Sequence, residues 1–180
     1  CKKVTIYEVN QESCSDKDGV DATVVATEQK TDLGLLRLDT PLRHYATLMS
    51  GKALRLGQTV SAYDQLSYEG RGCPQYVMGQ GKITKLNWMP DDFRLMDHDA
   101  PTRAGSSGGP ALNHSGNVFG VIKSGSIDGT SGRAVKPELL QALLKSNNVE
   151  YRTAPSTEKL SVSDIKKKAD SFTVVVKCLR

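Results

Sequence analysis

Long hydrophobic runs are missing from this sequence of 180 residues. No apolar stretch approaches the roughly 20 residues that a helix needs to cross a bilayer, so we expect no membrane span. Hydrophobic residues make up 38% and charged residues 24% of the chain, which is ordinary for a globular protein and excludes a disordered one. The length favours one good-sized core, or two small ones that fold as a unit.

Aromatic residues and clustered positive charge are also scarce. The chain has one Trp and three Phe, and its net charge of +4 comes from dispersed lysines and arginines apart from the triplet at 166–168. Nucleic-acid-binding proteins usually carry a basic stripe interleaved with aromatic side chains. We therefore expect no nucleic-acid partner.

The four cysteines include no C-x-x-C pair, which disfavours a zinc site, and we expect neither a metal nor a cofactor. They are Cys1, Cys14, Cys73 and Cys178. An even, scattered count in a strand-rich chain favours two disulfides and therefore an oxidising compartment, the periplasm or the exterior. Four free thiols in a cytosolic protein are the alternative.

The first two thirds of the chain contain many short β-rich runs separated by polar loops. The predicted strands are VTIYEV (4–9), DATVVAT (21–27), LGLLRL (33–38), QTVSAYD (58–64), YVMGQGKITKL (76–86), FRLMD (93–97) and NVFGVIKSG (117–125). Strands at this spacing favour a barrel or sandwich over alternating βα units. The sequence therefore predicts an all-β fold.

The pattern changes after residue 132. A helix with one leucine stripe is predicted to begin at Pro137, and 153–160 has the composition of a linker. A second helix is capped by Ser161 or Ser163, and FTVVVKC predicts a closing strand. No internal repeat or signal peptide is visible.

The motif G-S-S-G-G-P at 105–110 is the strongest indication of chemistry. Ser107 is the candidate nucleophile, and the backbone N–H groups of Gly105 and Ser107 can converge on one point to bind an oxyanion. The following glycines permit unusual dihedral angles, and Pro110 stiffens the exit into a strand. A plain hairpin loop is the alternative interpretation of such a cluster.

Two stretches together resemble the trypsin-like serine peptidases. The nucleophile motif continues into a strand, a tight turn at 115–117 and another strand, and T-D-L-G-L-L-R-L is similar to the stretch that carries the family's catalytic aspartate. The resemblance assigns that role to Asp32, which would hold the ring of a histidine base. A loop or strand-start residue is the alternative for an isolated Asp.

The likeness is closest to bacterial, periplasmic-type members of the family, on three stretches: D-A-P-T-R-A-G-S-S-G-G-P (99–110), A-V-K-P-E-L-L-Q-A-L-L (134–144) and L-S-V-S-D-I to V-V-V-K-C (160–178). It implies a double β-barrel with the first-barrel part at about 1–50 and the second at about 51–152, followed by the linker and by a helix and strand at 161–180 that pack back on the domain. Cys1 looks like a cysteine that shortly follows the family's catalytic histidine. The resemblance therefore implies that the first barrel is incomplete, and that either an N-terminal segment lies outside this numbering or some other element substitutes for it.

No histidine precedes Asp32, where the family's base would lie. His44 lies in a polar connection, and we expect it at the surface. His98 is predicted to pack within a strand, and His114 to lie in a turn that points away from the cleft. We therefore expect the chain by itself to have little or no peptidase activity.

The resemblance also suggests the walls of a substrate pocket: Thr102, Arg103, Lys123, Ser124 and Gly125. No acidic residue matches the pocket base, so a preference for Lys or Arg is not supported. Arg103 and Lys123 either favour an acidic side chain or face solvent, and the specificity stays open. A Cys1–Cys178 disulfide with a Cys14–Cys73 disulfide is the preferred pairing among three possible connectivities.

Three functions remain after this comparison. The first is a secreted or periplasmic serine endopeptidase, acting on a protein or peptide and represented here without its N-terminal segment. The second is a non-catalytic relative that binds a peptide or protein partner. The third is a structural or inhibitory module stabilised by disulfides.

Overall fold

The computed structural model describes residues 3–9, 19–51, 53–67 and 74–179, which form twelve strands and two helices. The strands are β1 (Lys3–Glu8), β2 (Val20–Glu28), β3 (Leu33–Leu38), β4 (Thr47–Met49), β5 (Thr59–Ser67), β6 (Gln75–Lys85), β7 (Leu95–His98), β8 (Pro110–Leu112), β9 (Val118–Gly125), β10 (Gly132–Val135), β11 (Arg152–Ala154) and β12 (Val174–Leu179). The helices are α1 (Pro137–Ser146) and α2 (Val162–Phe172). The predicted all-β class is confirmed.

Six strands close into a barrel in the order β10-β7-β6-β5-β8-β9, and β9 pairs with β10 to complete the ring. Alternate side chains of these strands point inward and exclude water from a common core. The buried core includes Val60, Ala62, Ile83, Met96, Phe119, Ile122 and Ala134. The loop that carries the candidate nucleophile connects β7 to β8 at one end of this barrel.

The remaining sheet is half a barrel with the order β12-β1-β2-β3. Its last strand comes from the C-terminus and runs antiparallel to β1, with Val4 opposite Cys178. Among the described residues, β3 and β12 have no further strand beside them and form the two open edges. The incomplete first barrel predicted from the sequence is confirmed, and the C-terminal strand supplies one of its four strands.

Helix α2 is fastened to the closed barrel and leads into β12. The Ser161 hydroxyl caps the helix by accepting from the Asp164 N–H at 3.1 Å, which decides between the two predicted caps. The Tyr63 hydroxyl donates to Asp170 Oδ1 at 2.6 Å, and Tyr63 stacks on Tyr76 with ring centroids 4.9 Å apart. Burial, and then Asp170, raise the pKa of Tyr63.

The segment predicted as a linker is packed against the barrel. Residues 152–154 form β11, which runs parallel to β4. Further along, Asn113 Nδ2 donates to Ser156 Oγ at 2.5 Å, and the Leu160 N–H donates to the His114 carbonyl at 2.9 Å. The composition predicts a turn-rich connection, but it cannot show that polar groups of the β8–β9 turn bind that connection.

Helix α1 contacts both the four-stranded sheet and the closed barrel. Its Leu139 and Leu143 pack in a cluster with Leu33, Leu95 and Val135, so the helix lies between β3 and the closed barrel. Neither helix of the described chain is long and apolar enough to cross a membrane.

Candidate active site

The nucleophile loop folds over strand β9. The Gly108 N–H donates to the Ile122 carbonyl, and the Ile122 N–H donates to the Gly109 carbonyl, each at 2.8 Å. Gly105 has a φ of 99° and Gly108 a φ of 90°, a region that favours glycine. The loop therefore presents Ser107 exposed at the surface, with its hydroxyl donating to the Lys123 carbonyl at 2.9 Å.

The two N–H groups proposed for an oxyanion are available. Neither the Gly105 nor the Ser107 N–H has a hydrogen-bond acceptor within the described parts of the chain. The neighbouring amides are occupied, since the Ser106 N–H donates to the Arg103 carbonyl and the Gly109 N–H to the Ser106 carbonyl. Exposed, unpaired N–H groups beside a serine hydroxyl are what stabilisation of an oxyanion requires.

Asp32 lies in the turn between β2 and β3, with a φ of 62°. Its N–H donates to the Glu28 carbonyl at 2.8 Å, and the Glu28 carboxylate accepts from the Thr31 hydroxyl at 2.7 Å and the Thr31 N–H at 2.8 Å. These bonds, led by the one to the Thr31 hydroxyl, hold the pKa of Glu28 below its usual range. The Arg94 guanidinium donates to the Lys30 carbonyl at 2.7 Å and so ties this turn to the closed barrel.

Lys123 connects the two candidate catalytic residues. Its backbone carbonyl accepts from Ser107, while its ammonium lies 3.5 Å from both Asp32 Oδ2 and the Thr31 carbonyl. The Asp32 side chain is 78% exposed and that of Lys123 is 30% exposed. Ser107 and Asp32 thus both contact Lys123, although they come from opposite barrels.

All three histidines lie in the described part of the chain, and none hydrogen-bonds to Ser107 or Asp32 there. His44 is exposed and His114 lies in the β8–β9 turn. His98 is fully buried, and neither of its ring nitrogens has a hydrogen-bond partner among the described residues. Burial lowers the pKa of His98, so the ring is neutral at pH 7.

The predicted pocket walls lie beside the nucleophile loop. Thr102 is fully buried, its hydroxyl donates to the Ala100 carbonyl at 3.0 Å, and a side chain at Gly125 would collide with the Thr102 carbonyl. Ser124 lies on β9 opposite Arg133 of β10. Both cations of the predicted set are ion-paired within the chain, Lys123 with Asp32 and Arg103 with Asp64.

Asp64 is the residue near the site that sequence reasoning missed. Its side chain is fully buried in the second half of β5, and it accepts from the Ser106 hydroxyl at 2.9 Å and from the Arg103 N–H at 2.7 Å. The only signal was an acidic residue inside the apolar strand V-S-A-Y-D. A buried acidic residue requires a partner, but the sequence does not show which residue that partner is.

Cys178 is disulfide-bonded, and the other three cysteines lie outside the described residues. The predicted pairing of Cys1 with Cys178 and of Cys14 with Cys73 stays a prediction. In the part of the chain that the structure covers, no group of His, Cys, Asp and Glu side chains is arranged to hold a metal ion.

Comparison with known proteins identifies the family. The family described as "Trypsin-like peptidase domain" matches residues 2–121. This chain belongs to that family. The trypsin-like domain is also similar to solved structures: an HtrA-type protease, AlgW, with a decapeptide (TM-score 0.59, 22% identity, covering 71% of this chain and 40% of that chain) and the Rv3671c protease from M. tuberculosis in its active form (TM-score 0.59, 19% identity, covering 88% and 66%).

Two curated proteins are similar to the trypsin-like domain over most of its length. The protein y4bJ of Sinorhizobium fredii, described as uncharacterised, is 30% identical over 87% of this chain, and the serine protease HTRA1B of Danio rerio is 26% identical over 77%. The matches cover 26% and 30% of those two proteins. The chain thus spans about a quarter to a third of the length of these relatives.

Proposed function

We propose that this trypsin-like domain is part of a serine endopeptidase that works through an acyl-enzyme on Ser107. The Ser107 oxygen bonds to the carbonyl carbon of the substrate, and its proton passes to a histidine base and then to the leaving amine. The N–H groups of Gly105 and Ser107 bind the oxyanion, and Asp32 orients the histidine. The observation that carries the proposal is that both residues bond to Lys123, Ser107 to its backbone carbonyl and Asp32 to its ammonium.

The histidine in this proposal comes from a segment outside these 180 residues, its own N-terminal segment. The open edges of β3 and β12 support it, because exposed strand edges are sites where further strands pair. The exposed Lys123–Asp32 ion pair is weak enough for a histidine to replace. We expect the ammonium to leave Asp32 when the histidine arrives.

The substrate in this proposal is a protein or peptide. The decapeptide bound to AlgW supports this class, and the proposed pocket walls are Thr102, Arg103 and the stretch 123–125. Because Arg103 and Lys123 are both ion-paired, the proposal does not include a preference for acidic side chains. We place the protein in the periplasm or outside the cell, where the predicted disulfides would persist.

The test is covalent labelling of the 180-residue chain with a fluorophosphonate probe, followed by intact mass, beside hydrolysis of casein. We expect little labelling and little casein hydrolysis from the chain alone, because losing one member of the triad lowers the rate by several orders of magnitude. Fusion of an N-terminal segment carrying the family's histidine should raise both, and Ser107→Ala should abolish the gain. Ordinary turnover by the 180-residue chain, lost in Ser107→Ala, would contradict the missing base.

A second candidate function is a non-catalytic homologue that binds a peptide or protein partner. It is favoured by the bonds that already engage the Ser107 hydroxyl and the Asp32 carboxylate. Peptide binding without any Ser107-dependent labelling, even in the fusion that carries the histidine, would decide for this function.

A further inference from the structure

Asp64 is a fully buried carboxylate that the proposed reaction does not use. It lies near the end of β5, opposite Val77 of β6. On the other edge of β5, pairing with β8 is confined to Ser61 and Ala62. Beyond these two residues the nucleophile loop lies beside β5, so side-chain hydrogen bonds take the place of a strand ladder.

Two residues that precede the nucleophile converge on the Asp64 carboxylate. The Arg103 N–H donates to Oδ1 at 2.7 Å, the Ser106 hydroxyl donates to Oδ1 at 2.9 Å, and the Arg103 guanidinium pairs with Oδ2. The Ser106 oxygen also accepts from the Gln65 N–H at 2.9 Å. Residues 103 and 106, which flank Gly105, are therefore both hydrogen-bonded to the same short stretch of β5, residues 64–65.

These bonds restrict the orientation of the Gly105 and Ser107 N–H groups. Gly105 lies between the anchored residues, with a φ of 99°, and the Gln65 amide packs so closely that any side chain at 105 would collide with it. Ser107 follows directly after the anchored Ser106. With both ends of this short stretch held, the Gly105 and Ser107 N–H groups have little freedom to turn away from a common acceptor.

We propose that Asp64 is a positioning residue that holds the Gly105 and Ser107 N–H groups in place for an oxyanion, acting through Arg103 and Ser106. The inference rests on the proposed function. A charged acceptor is needed, because an amide at 64 would turn its NH₂ donor toward a position where Arg103 or Ser106 also donates. Preorganised donors lose their effect when they can reorient, since they then have to be ordered during the reaction.

The test uses the fusion that carries the family's histidine and compares its binding of peptide aldehydes with its binding of alcohols of the same sequence. The ligands form a panel with apolar, polar and charged C-terminal side chains. Ser107 adds to the aldehyde carbon, its proton passes to the new oxygen or to water, and that oxygen occupies the oxyanion position. The alcohol binds without this step. The ratio of the two affinities therefore reports on the oxyanion position, whereas general loosening of the pocket weakens both ligands equally.

Asp64→Asn should lower aldehyde affinity about tenfold or more, with alcohol affinity unchanged, and Ser106→Ala should act in the same direction. Asp97→Asn is the matched control, because Asp97 pairs with Arg133 and Lys85 away from the loop, and its ratio should match that of the fusion without substitutions. An equal loss for both ligands in Asp64→Asn, or no loss, would overturn the positioning role.

Amide hydrogen exchange separates this inference from the proposed function. If the histidine-carrying fusion without substitutions does not prefer the aldehyde, the proposed reaction at Ser107 is contradicted. The positioning role then still requires faster exchange at 103–109 in Asp64→Asn, with exchange in α1 and β2 unchanged. Unchanged exchange in the loop, or faster exchange throughout the chain, would overturn it.

Discussion

The Ser107 hydroxyl donates a 2.9 Å hydrogen bond to the backbone carbonyl of Lys123. The ammonium of the same lysine lies 3.5 Å from Asp32, so the nucleophile and the proposed orienting carboxylate are each engaged by one residue of β9. A histidine between them has to displace the ammonium, and the hydroxyl has to turn from the carbonyl to the histidine.

Lys123→Met should remove the ammonium without disturbing the fold. The Lys123–Asp32 pair is largely exposed, and such pairs contribute at most about 1 kcal/mol. We expect the free energy of unfolding in urea to change by no more than that, and labelling of Ser107 to rise in a fusion that supplies a histidine. Lys85→Met, which removes another exposed ion pair, is the control and should leave labelling unchanged. A fall in labelling in Lys123→Met would show that the ammonium assists the reaction.

Tyr63→Phe should loosen α2 from the closed barrel. The change removes the 2.6 Å hydrogen bond to Asp170 and leaves the ring stack with Tyr76 in place. We expect a loss of about 1–2 kcal/mol in unfolding free energy, with faster hydrogen exchange in α2 and β12. Tyr76→Phe is the matched control. Equal stability of the two variants would mean that this bond contributes nothing.

Comparing Gly105→Ala with Gly108→Ala distinguishes the cost of backbone strain from the cost of a steric clash. Both positions have positive φ, so each substitution costs about 1–2 kcal/mol in backbone strain. A side chain at 105 also collides with Gln65, whereas nothing in the described part of the chain lies within 4 Å of a side chain at 108. We therefore expect Gly105→Ala to be the less stable variant in thermal unfolding. The reverse order would contradict the described loop conformation.

Stability should fall at acidic pH because of His98. Burial holds its pKa in the folded chain below 6.5, so at lower pH the unfolded chain binds more protons. The contribution is fully present above pH 6.5 and is lost as the pH falls below that value. His98→Leu should flatten this part of the urea stability profile, while Ser107→Ala should retain it. An unchanged slope in His98→Leu would assign the effect to other groups.

Local patterns predicted the strands and helices, because alternation and capping are readable in short windows. The motif at 105–110 led to Ser107, whereas Asp32 came from the resemblance of the stretch at 31–38 to the family's aspartate-bearing segment. The pairing of β12 with β1 joins opposite ends of the chain, and no local pattern specifies such a contact. Strands β4 and β11 were missed because three residues are too few to show alternation.

The contacts of Lys123 and Asp64 could not be predicted for the same reason. The sequence predicts that Lys123 either lines the substrate pocket or faces solvent, but the β2–β3 turn brings a carboxylate to its side chain. Asp64 was one acidic residue in an apolar strand, and its partners lie 39 and 42 positions away. Only the fold shows which donors meet a buried carboxylate.

The central claim is that this domain carries a nucleophile and an oxyanion site but no base. It is tested most directly by acylating Ser107 with p-nitrophenyl acetate as imidazole is added, following acetylation of the protein by intact mass. We predict slow acetylation alone and an imidazole-dependent increase that Ser107→Ala abolishes, because free imidazole can take the proton that no histidine of the chain receives. Rapid Ser107 acetylation without imidazole, or an increase that survives Ser107→Ala, would contradict the account.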